Sequence, residues 1–272
     1  MGKGIAWQAM HNNPVSNAFI VHDLKVISET AERLGKKADA DRYRRQLEAT
    51  TKAYIEKFVS KKGIVAKDYQ SAYIMALKFV LPEGELRELV KKNFAANIRK
   101  NGLQTGFFAT EHLLPLLVEA GETELAYDIL LQEGCPGWMY QIKCGATTTW
   151  ERWDALKPDG TVNEEKMAGS GDNMVSFNHY AFGSVGEFYY QYILGIKPQK
   201  PGFAELHFEP YPDRRLGGVS GSYLSRAGKI ESSWKYEEDG CHISLNTPVK
   251  SEVVLPDGKK ETVEAGTYQW LC

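Results

Sequence analysis

A change in hydrophobic period near residue 198 constrains the fold of this chain more than any other feature of its sequence. Before it, apolar residues recur at steps of three and four, as in Ile20, Leu24 and Ile27, which is the period of an amphipathic helix. After it, apolar and polar residues alternate, as over 230–235, which is the period of a half-buried strand. Helices and strands in separate blocks predict two domains instead of an interleaved α/β fold.

The segments with a helical period come in pairs with short connections. Such pairs are typical of stacked antiparallel hairpins, either in a solenoid or in an α/α barrel. No fixed repeat is present, which argues against a simple solenoid. The periodicity predicts about seven helices, which cover residues 16–35, 39–59, 70–81, 85–100, a segment from near Thr110, 122–131 and 175–192.

Capping and helix-breaking residues predict where some helices begin and end. Ser16 or Asn17 is expected to cap the first helix, and Gly35 is expected to end it. Pro115 is expected in the first turns of the fifth helix, where a missing backbone N–H is tolerated.

The alternating segments near the C-terminus are separated by hairpin signals at Asp239-Gly240 and Asp257-Gly258. They predict a small antiparallel β-domain. The chain as a whole is therefore expected to be mainly α with a β C-terminal domain. We place the helical domain at residues 1–198 and the β-domain at residues 199–272.

Charge and hydropathy exclude several classes of partner. The chain has 33 Lys and Arg against 35 Asp and Glu, a net charge of −2, so no nucleic acid partner is expected. No apolar run approaches the roughly 20 residues of a membrane span, so no membrane partner is expected either. Residues 1–7 lack the apolar core of a signal peptide, which predicts a cytoplasmic location.

The spacing of cysteine and histidine predicts no metal site and no cofactor. The four Cys form no CxxC pair, so we interpret them as buried or incidental thiols. His22, His112 and His179 have no partner at the spacing of metal ligands.

The stretch 132–174 is irregular, and long ordered loops in compact domains are usually functional. It holds Trp138, Trp150 and Trp153, and Glu151 lies beside two of these indoles. A carboxylate in apolar surroundings suits general acid or base catalysis, and flat indoles suit the apolar face of a sugar. The alternative interpretation is a surface glutamate beside two tryptophans of the core.

His179 is the second candidate, because it is expected at the start of the helix over 175–192. An imidazole at that place can exchange a hydrogen bond with a sugar hydroxyl. The alternative is a capping or core histidine that bonds to the backbone.

Several motifs then identify a family. Gly145-Ala-Thr-Thr-Thr-Trp-Glu-Arg-Trp-Asp154 resembles the signature loop of the bacterial α-L-rhamnosidases of glycoside hydrolase family 78. Further segments resemble that family in the same order: Thr105-Gly-Phe with Leu113-Leu-Pro115, Asn178-His-Tyr-Ala-Phe-Gly-Ser-Val-Gly-Glu187, Pro201-Gly-Phe, Pro210, and Gly228-Lys-Ile-Glu-Ser-Ser-Trp234.

The resemblance implies a partial (α/α)6 barrel followed by a small antiparallel β-sandwich. It implies hydrolysis of terminal α-L-rhamnosyl groups with inversion, on a rhamnose-containing glycoside or oligosaccharide. Glu151 then matches the general base, His179 a residue that contacts rhamnose, and Trp7 a tryptophan of the family. Trp150 or Trp153 would form an apolar wall for the methyl group of the sugar.

The chain departs from the family at the general acid. The family carries it in an Asp-Glu-Arg segment, which this sequence lacks. The helix count is about half that of a closed six-hairpin barrel. We therefore expect a fragment without turnover, which is marginally stable or self-associates through the uncovered edge of the half barrel. Asp154, Asp172 and Glu187 are the nearest candidates for an acid within the chain.

Two other interpretations remain open. The chain can be a carbohydrate-binding or assembly module that keeps Glu151 but does not catalyse. It can also be an unrelated helical scaffold, in which case Trp150 and Trp153 are buried in its core and contact no sugar.

Overall fold

Helices and strands occupy separate blocks of the chain, as the change in hydrophobic period predicts. The computed structural model describes residues 12–165 and 175–272. The helices of the first block are α1 Pro14–Arg33, α2 Lys37–Phe58, α3 Gln70–Met75 with a π-helical continuation Ala76–Val80, α4 Glu85–Asn101, α5 Phe107–Glu119, α6 Thr123–Leu131 and α7 Trp138–Lys143. Later helical turns are a 3₁₀ turn Ala181–Ser184, α8 Val185–Phe188 and a π turn Tyr189–Ile193.

The chain divides into two compact units, Met1–Ala181 and Phe182–Cys272. A domain boundary after residue 198 stays a prediction. Within the described ranges, every helix is too short or too polar to cross a lipid bilayer.

The first helix begins at a cap that precedes the predicted one. Asn13 Oδ1 accepts the backbone N–H groups of Val15 at 2.9 Å and Ser16 at 3.2 Å. Pro14 occupies the first helical position, where its φ is already helical and no N–H donor is needed. The prediction of Ser16 or Asn17 as the cap is therefore wrong by about one turn.

Pro115 lies in the interior of α5 and not in its first turns, so that prediction is also wrong. The helix begins before Thr110, because Gly106 O accepts the backbone N–H groups of Ala109 and Thr110, both at 3.2 Å. Thr110 Oγ1 donates to the same carbonyl at 2.8 Å, so this side chain bonds back within the helix.

The core of the first unit surrounds α3, whose six residues are all buried. Its one amide side chain is paired, because Gln70 Nε2 donates to Asn97 Oδ1 at 3.1 Å and to Gly102 O at 2.9 Å. Gln70 Oε1 accepts the N–H of Gln104 at 2.8 Å. A buried amide with these partners joins α3 to the end of α4 without a desolvation penalty.

Several large apolar residues of α1 do not face the core. Ile20 and Ile27, with Leu34 just after the helix, are 48%, 43% and 66% exposed, whereas Ala18, Val21 and Ala31 are buried. Residues seven apart share one helix face. The helix therefore buries Val21 and small side chains, and leaves Ile20, Ile27 and Leu34 as an exposed apolar stripe.

The strands form two sheets of the second unit, with orders β1-β2-β6-β7 and β3-β4-β5-β8. Their bounds are β1 Ile196–Pro198, β2 Leu206–Phe208, β3 Gly218–Ser225, β4 Gly228–Glu237, β5 Gly240–Thr247, β6 Ser251–Val254, β7 Lys260–Val263 and β8 Gly266–Leu271. Both predicted hairpin turns are confirmed, because Asp239-Gly240 joins β4 to β5 and Asp257-Gly258 joins β6 to β7. β2 and β6 pair in parallel, which departs from a purely antiparallel arrangement.

The core of the β-domain follows the alternation in the sequence. Ile230 and Trp234 of β4 and Ile243 of β5 are buried, and Phe208 of one sheet lies against Trp270 of the other with ring centroids 6.0 Å apart. The two sheets therefore bury their apolar faces against each other, as in a sandwich.

A charge cluster lies on the sheet that contains β1 and β2. Glu209 Oε2 accepts from Lys197 Nζ at 2.9 Å and lies 3.2 Å from His207 Nε2, while His207 Nδ1 lies 3.4 Å from Glu252 Oε2. The hydrogen bond with His207 is the main cause that lowers the pKa of Glu209 to about 2. The same bond raises the pKa of His207.

We predict that His207→Gln lowers the free energy of unfolding by about 1 kcal/mol near pH 5.5 and by less near pH 9. The stabilisation from Glu209 is present above the ordinary carboxyl pKa and is lost as the pH falls towards 2. The stabilisation from His207 is present below the ordinary imidazole pKa and is lost as the pH rises through its higher folded pKa. Urea denaturation at both pH values measures the effect.

His242→Gln is the matched control, because His242 pairs with Asp239 on an exposed hairpin. Exposed pairs contribute little, so its effect is expected to be smaller. An equal loss for His207→Gln at the two pH values would contradict the assignment.

Candidate functional site

The candidate site forms where the loop around Glu151 pairs with the segment around His179. The backbone N–H of Glu151 donates to Ser176 O at 2.8 Å, and the N–H of His179 donates to Thr149 O at 2.9 Å. Residues 175–180 are therefore not helical, and the predicted helix over 175–192 begins only at Ala181. The prediction is wrong here because these backbone groups bond to a distant segment and not to the next helical turn.

Side chains reinforce the same pairing. Ser176 N–H donates to Glu151 Oε2 at 2.8 Å, and Thr149 Oγ1 donates to His179 O at 2.6 Å. Thr148 Oγ1 also donates to Phe177 O. Both ends of the segment are therefore held by backbone and side-chain hydrogen bonds together. The pairing brings the backbones around Glu151 and His179 together, and their action as one site stays a prediction.

Glu151 is half-buried, and its carboxylate is oriented by the backbone. Among residues 12–165 and 175–272, the bond from Ser176 to Oε2 is the one hydrogen bond that the carboxylate accepts. Within these ranges Oε1 accepts no hydrogen bond from protein. A carboxylate held through one oxygen can take a proton from water through the other, which is what a general base does.

The imidazole of His179 is held by stacking and by a hydrogen bond from a backbone N–H two residues later. Its ring lies 4.5 Å from that of Phe107 and 5.3 Å from that of Tyr180, at interplanar angles of 23° and 10°. The N–H of Ala181 donates to Nδ1 at 3.3 Å. The tautomer that accepts this bond carries its proton on Nε2, which can then donate to a hydroxyl.

Trp150 and Trp153 lie beneath the loop. They are 3% and 9% exposed, so protein covers most of both indoles. Trp150 makes an edge contact with Phe177, with centroids 5.4 Å apart, and Trp153 makes one with Trp138 at 5.0 Å. This burial supports the loop from below. Direct contact of either indole with a sugar stays a prediction, and Trp7 lies outside the described residues.

Asp154 is engaged in an ion pair of its own. Arg152 donates to both of its carboxylate oxygens, at 2.7 and 2.9 Å, and Asn163 Nδ2 donates to Oδ2 at 2.7 Å. The hydrogen bond from Arg152 is the main cause that lowers the pKa of Asp154. A carboxylate kept ionised in this way has no proton to donate near neutral pH.

The other two sequence candidates for an acid are placed differently. Asp172 lies outside the described residues. Glu187 is in α8 of the second unit, where it accepts a hydrogen bond from Gln191.

Three residues of the site were not among the predicted ones. Gln141 is buried in α7 and accepts the N–H of Trp150 through Oε1 at 3.3 Å, so it positions the residue before Glu151. Phe107 stacks on His179, and Ser176 binds the carboxylate. Phe107 belongs to the Thr105-Gly-Phe segment that resembles the family, which is a signal that could have found it. The roles of Gln141 and Ser176 depend on contacts between distant segments.

One group of possible metal ligands occurs in the part of the chain that the structure describes. Glu237, Asp239 and His242 bring ligand atoms within 4.8 Å of one another on the exposed β4–β5 hairpin. His242 Nε2 lies 2.7 Å from Asp239 Oδ1, and Lys235 Nζ lies 2.9 Å from Glu237 Oε1. Ion pairing among these residues accounts for the cluster.

The helical hairpins and the carboxylate loop have the architecture of part of a six-hairpin glycosidase domain, and a β-sandwich follows them. Residues 6–193 match the family model for the bacterial alpha-L-rhamnosidase 6 hairpin glycosidase domain, and residues 195–269 match that for the bacterial alpha-L-rhamnosidase C-terminal domain. The chain belongs to the bacterial α-L-rhamnosidase family.

Curated relatives share about a third of their residues with this chain. It is 36% identical over 248 residues to an alpha-L-rhamnosidase of Alteromonas sp. (strain LOR), which covers 89% of this chain and 26% of that protein. It is 33% identical over 254 residues to an alpha-L-rhamnosidase of Streptomyces avermitilis, with coverages of 92% and 24%. The chain thus spans about a quarter of the length of these relatives.

Solved structures agree with this likeness. The native α-L-rhamnosidase from Aspergillus terreus superposes with a TM-score of 0.86 at 30% identity, over 94% of this chain and 30% of that one. The Streptomyces avermitilis α-L-rhamnosidase complexed with L-rhamnose gives 0.84 at 31% identity, over 93% and 26%.

We predict that Thr149→Val loosens the pairing that forms the site. The change keeps the shape of the side chain but removes the hydroxyl that bonds to His179 O, which costs about 1 kcal/mol. Amide hydrogen exchange at His179 is expected to become faster. Thr147→Val is the control, because Thr147 is exposed in the same loop. Unchanged exchange at His179 would show that the hydroxyl does not hold the segment.

Proposed function

We propose that this chain carries the general-base side of an inverting α-L-rhamnosidase site, with Glu151 as the base. The observation that carries the proposal is the bond from Ser176 N–H to Glu151 Oε2 within the loop that pairs with the segment around His179. The substrate is a terminal α-L-rhamnosyl group of a glycoside or oligosaccharide. The alternative is a carbohydrate-binding or assembly module that does not catalyse.

The geometry of Glu151 supports the role of a base. In an inverting glycosidase the base activates a water molecule, and a second carboxyl group about 6.5–9.5 Å away protonates the leaving oxygen. One oxygen of Glu151 is held by Ser176, so the other can take the proton of a water molecule that attacks the anomeric carbon.

His179 supports the role of a substrate contact. Stacking against Phe107 and Tyr180 limits rotation of the imidazole, so its orientation is set before a ligand arrives. We propose that Nε2–H donates to a hydroxyl of rhamnose. Trp150 and Trp153 would then act mainly by shaping the loop, and contact the methyl group only where an edge of an indole reaches the sugar.

Asp154, the carboxylate nearest to Glu151 in the sequence, is unsuited to protonate the leaving group. Asp154 is bound by Arg152 and Asn163, and the sequence contains no Asp-Glu-Arg segment. We therefore propose that the chain binds rhamnose without measurable turnover unless an acid is supplied to it.

The exposed stripe of α1 supports a second proposal, that two copies of the chain associate. Ile20, Ile27 and Leu34 lie on one face and are all more than a third exposed. Apolar area removed from water is worth about 25 cal/mol per Å², which favours covering such a face.

Two measurements on the purified chain test the proposed site. Titration calorimetry with L-rhamnose is expected to show binding that His179→Ala weakens about tenfold, a loss near 1.4 kcal/mol, whereas His242→Ala changes nothing. An aryl α-L-rhamnoside is then assayed with the wild-type chain, Glu151→Gln and the control Glu165→Gln, whose side chain is exposed.

Each outcome has a distinct meaning. Binding without hydrolysis in every variant supports the proposal that the acid is absent. Hydrolysis that Glu151→Gln reduces by a factor of about 100 or more supports Glu151 as the base and locates an acid within this chain. Hydrolysis that survives Glu151→Gln, or an absence of rhamnose binding, would overturn the proposal.

Sedimentation velocity over a range of concentrations tests association. We predict that the wild-type chain forms dimers and that Ile27→Lys shifts it to monomers, because a charge in the stripe must be desolvated on association. Glu29→Lys places a lysine at an exposed position on the opposite side of α1 from the stripe and serves as the control. A wild-type chain that stays monomeric at high concentration would contradict the prediction.

A further inference from the structure

Two cysteines lie directly opposite each other at the edge of the β3-β4-β5-β8 sheet. The register of β5 and β8 pairs His242 with Leu271, and the next pair outward is Cys241 and Cys272. The N–H of Cys241 donates to Cys272 O at 2.8 Å, and the N–H of Cys272 donates to Cys241 O at 3.1 Å. They therefore form a hydrogen-bonded antiparallel pair.

Gly240 permits this close approach. Its φ is +146°, a region that side chains rarely adopt. A Cβ at this position would lie 2.8 Å from Cys272 O and 2.9 Å from Leu271 Cδ1. The backbone that leads into Cys241 thus fits against the backbone of Cys272 only because it carries no side chain.

The two thiols share one face of the sheet. Side chains of directly opposite residues point to the same side, and Cys241 is buried on the face that carries Ile243. Hydrogen-bonded pairs have Cα atoms about 5.5 Å apart, which coincides with the commonest Cα separation across a disulfide, about 5.5–6 Å. Both residues are free thiols in this structure.

We propose that Cys241 and Cys272 are a disulfide-forming pair that links β5 to the segment following β8. The proposal is independent of the proposed rhamnosidase site, which lies in the first unit. Burial raises the pKa of both thiols, which lowers the fraction of thiolate that can begin an exchange with a disulfide.

The oxidant is a low-molecular-weight disulfide. Cys272 is the more accessible thiol, so it loses its proton to water first and its thiolate attacks one sulfur of that disulfide. The small disulfide breaks, one small thiol leaves, and a mixed disulfide remains on Cys272. Cys241 then loses its proton and attacks Cys272 Sγ, which releases the second small thiol. Two cysteine thiols are oxidised, and one small disulfide is reduced to two thiols.

The thiols of Cys135 and Cys144 must be replaced, so that only Cys241 and Cys272 can be oxidised. Cys135 is exposed and Cys144 is half-buried, so both thiols can react with a disulfide reagent. The experiment therefore uses the full chain with Cys135→Ser and Cys144→Ser. Cys241→Ser and Cys272→Ser are each added to this background as controls.

Glutathione disulfide is the probe, and the intact mass of the native protein is the measurement. The background protein is expected to lose the mass of two hydrogen atoms. Cys241→Ser is expected to stop at a glutathione adduct on Cys272, and Cys272→Ser to keep the buried Cys241 reduced. A thermal midpoint that rises on oxidation and returns after reduction with dithiothreitol is also expected, because the bond closes the loop from β5 to β8. This comparison uses one protein in two states, so it holds even where Cys241→Ser fails to fold.

Three results with the background protein would overturn the proposal. Both thiols could stay free, a glutathione adduct could persist without forming the internal disulfide, or disulfide-linked dimers could form on a non-reducing gel.

Discussion

The antiparallel pairing of residues 148–151 with residues 176–179 is the constraint on which the candidate site depends. It joins two segments that are separated by a long irregular stretch, and it uses backbone and side-chain groups at both ends. Without it, the carboxylate of Glu151 and the imidazole of His179 would lie on unrelated loops. Because hydrogen bonds are directional, the pairing fixes the two backbone segments relative to each other, and the bond from Ser176 orients the Glu151 carboxylate.

The buried side chains of Trp150, Trp153 and Gln141 explain why the irregular loop around Glu151 can be ordered. Two buried indoles replace the regular packing that a helix would provide, and Gln141 satisfies the backbone donor of Trp150. Their burial agrees with the interpretation that tryptophans here belong to the core, while the family matches show that the chain is no unrelated scaffold. Core residues and site residues are therefore neighbours in sequence, and a tryptophan beside a catalytic candidate need not touch a substrate.

Predictions from sequence succeeded where the determining interactions are local. The helices of the first block and both hairpin turns follow from hydrophobic period and turn residues that lie within a few positions of one another. They failed in three places. Asn13 caps the first helix in place of the predicted residues, and α5 begins before Thr110, which puts Pro115 in its interior. Residues 175–180 bond to the distant segment around Glu151 and form no helix. The short helix α7 was missed because it has only six residues and lies between Pro136-Gly137 and Gly145, in a stretch without a helical period.

The sequence by itself determined that helices precede strands, that the chain belongs with sugar-cleaving enzymes of one family, and that Glu151 and His179 are the residues to examine. These conclusions rest on periods and motifs, which are properties of contiguous residues. Only the tertiary structure decided that Ser176 orients the carboxylate, that the indoles are covered, and that Cys241 faces Cys272. Each of these depends on contacts between segments far apart in the chain, and no local pattern encodes which distant backbone group a residue will meet.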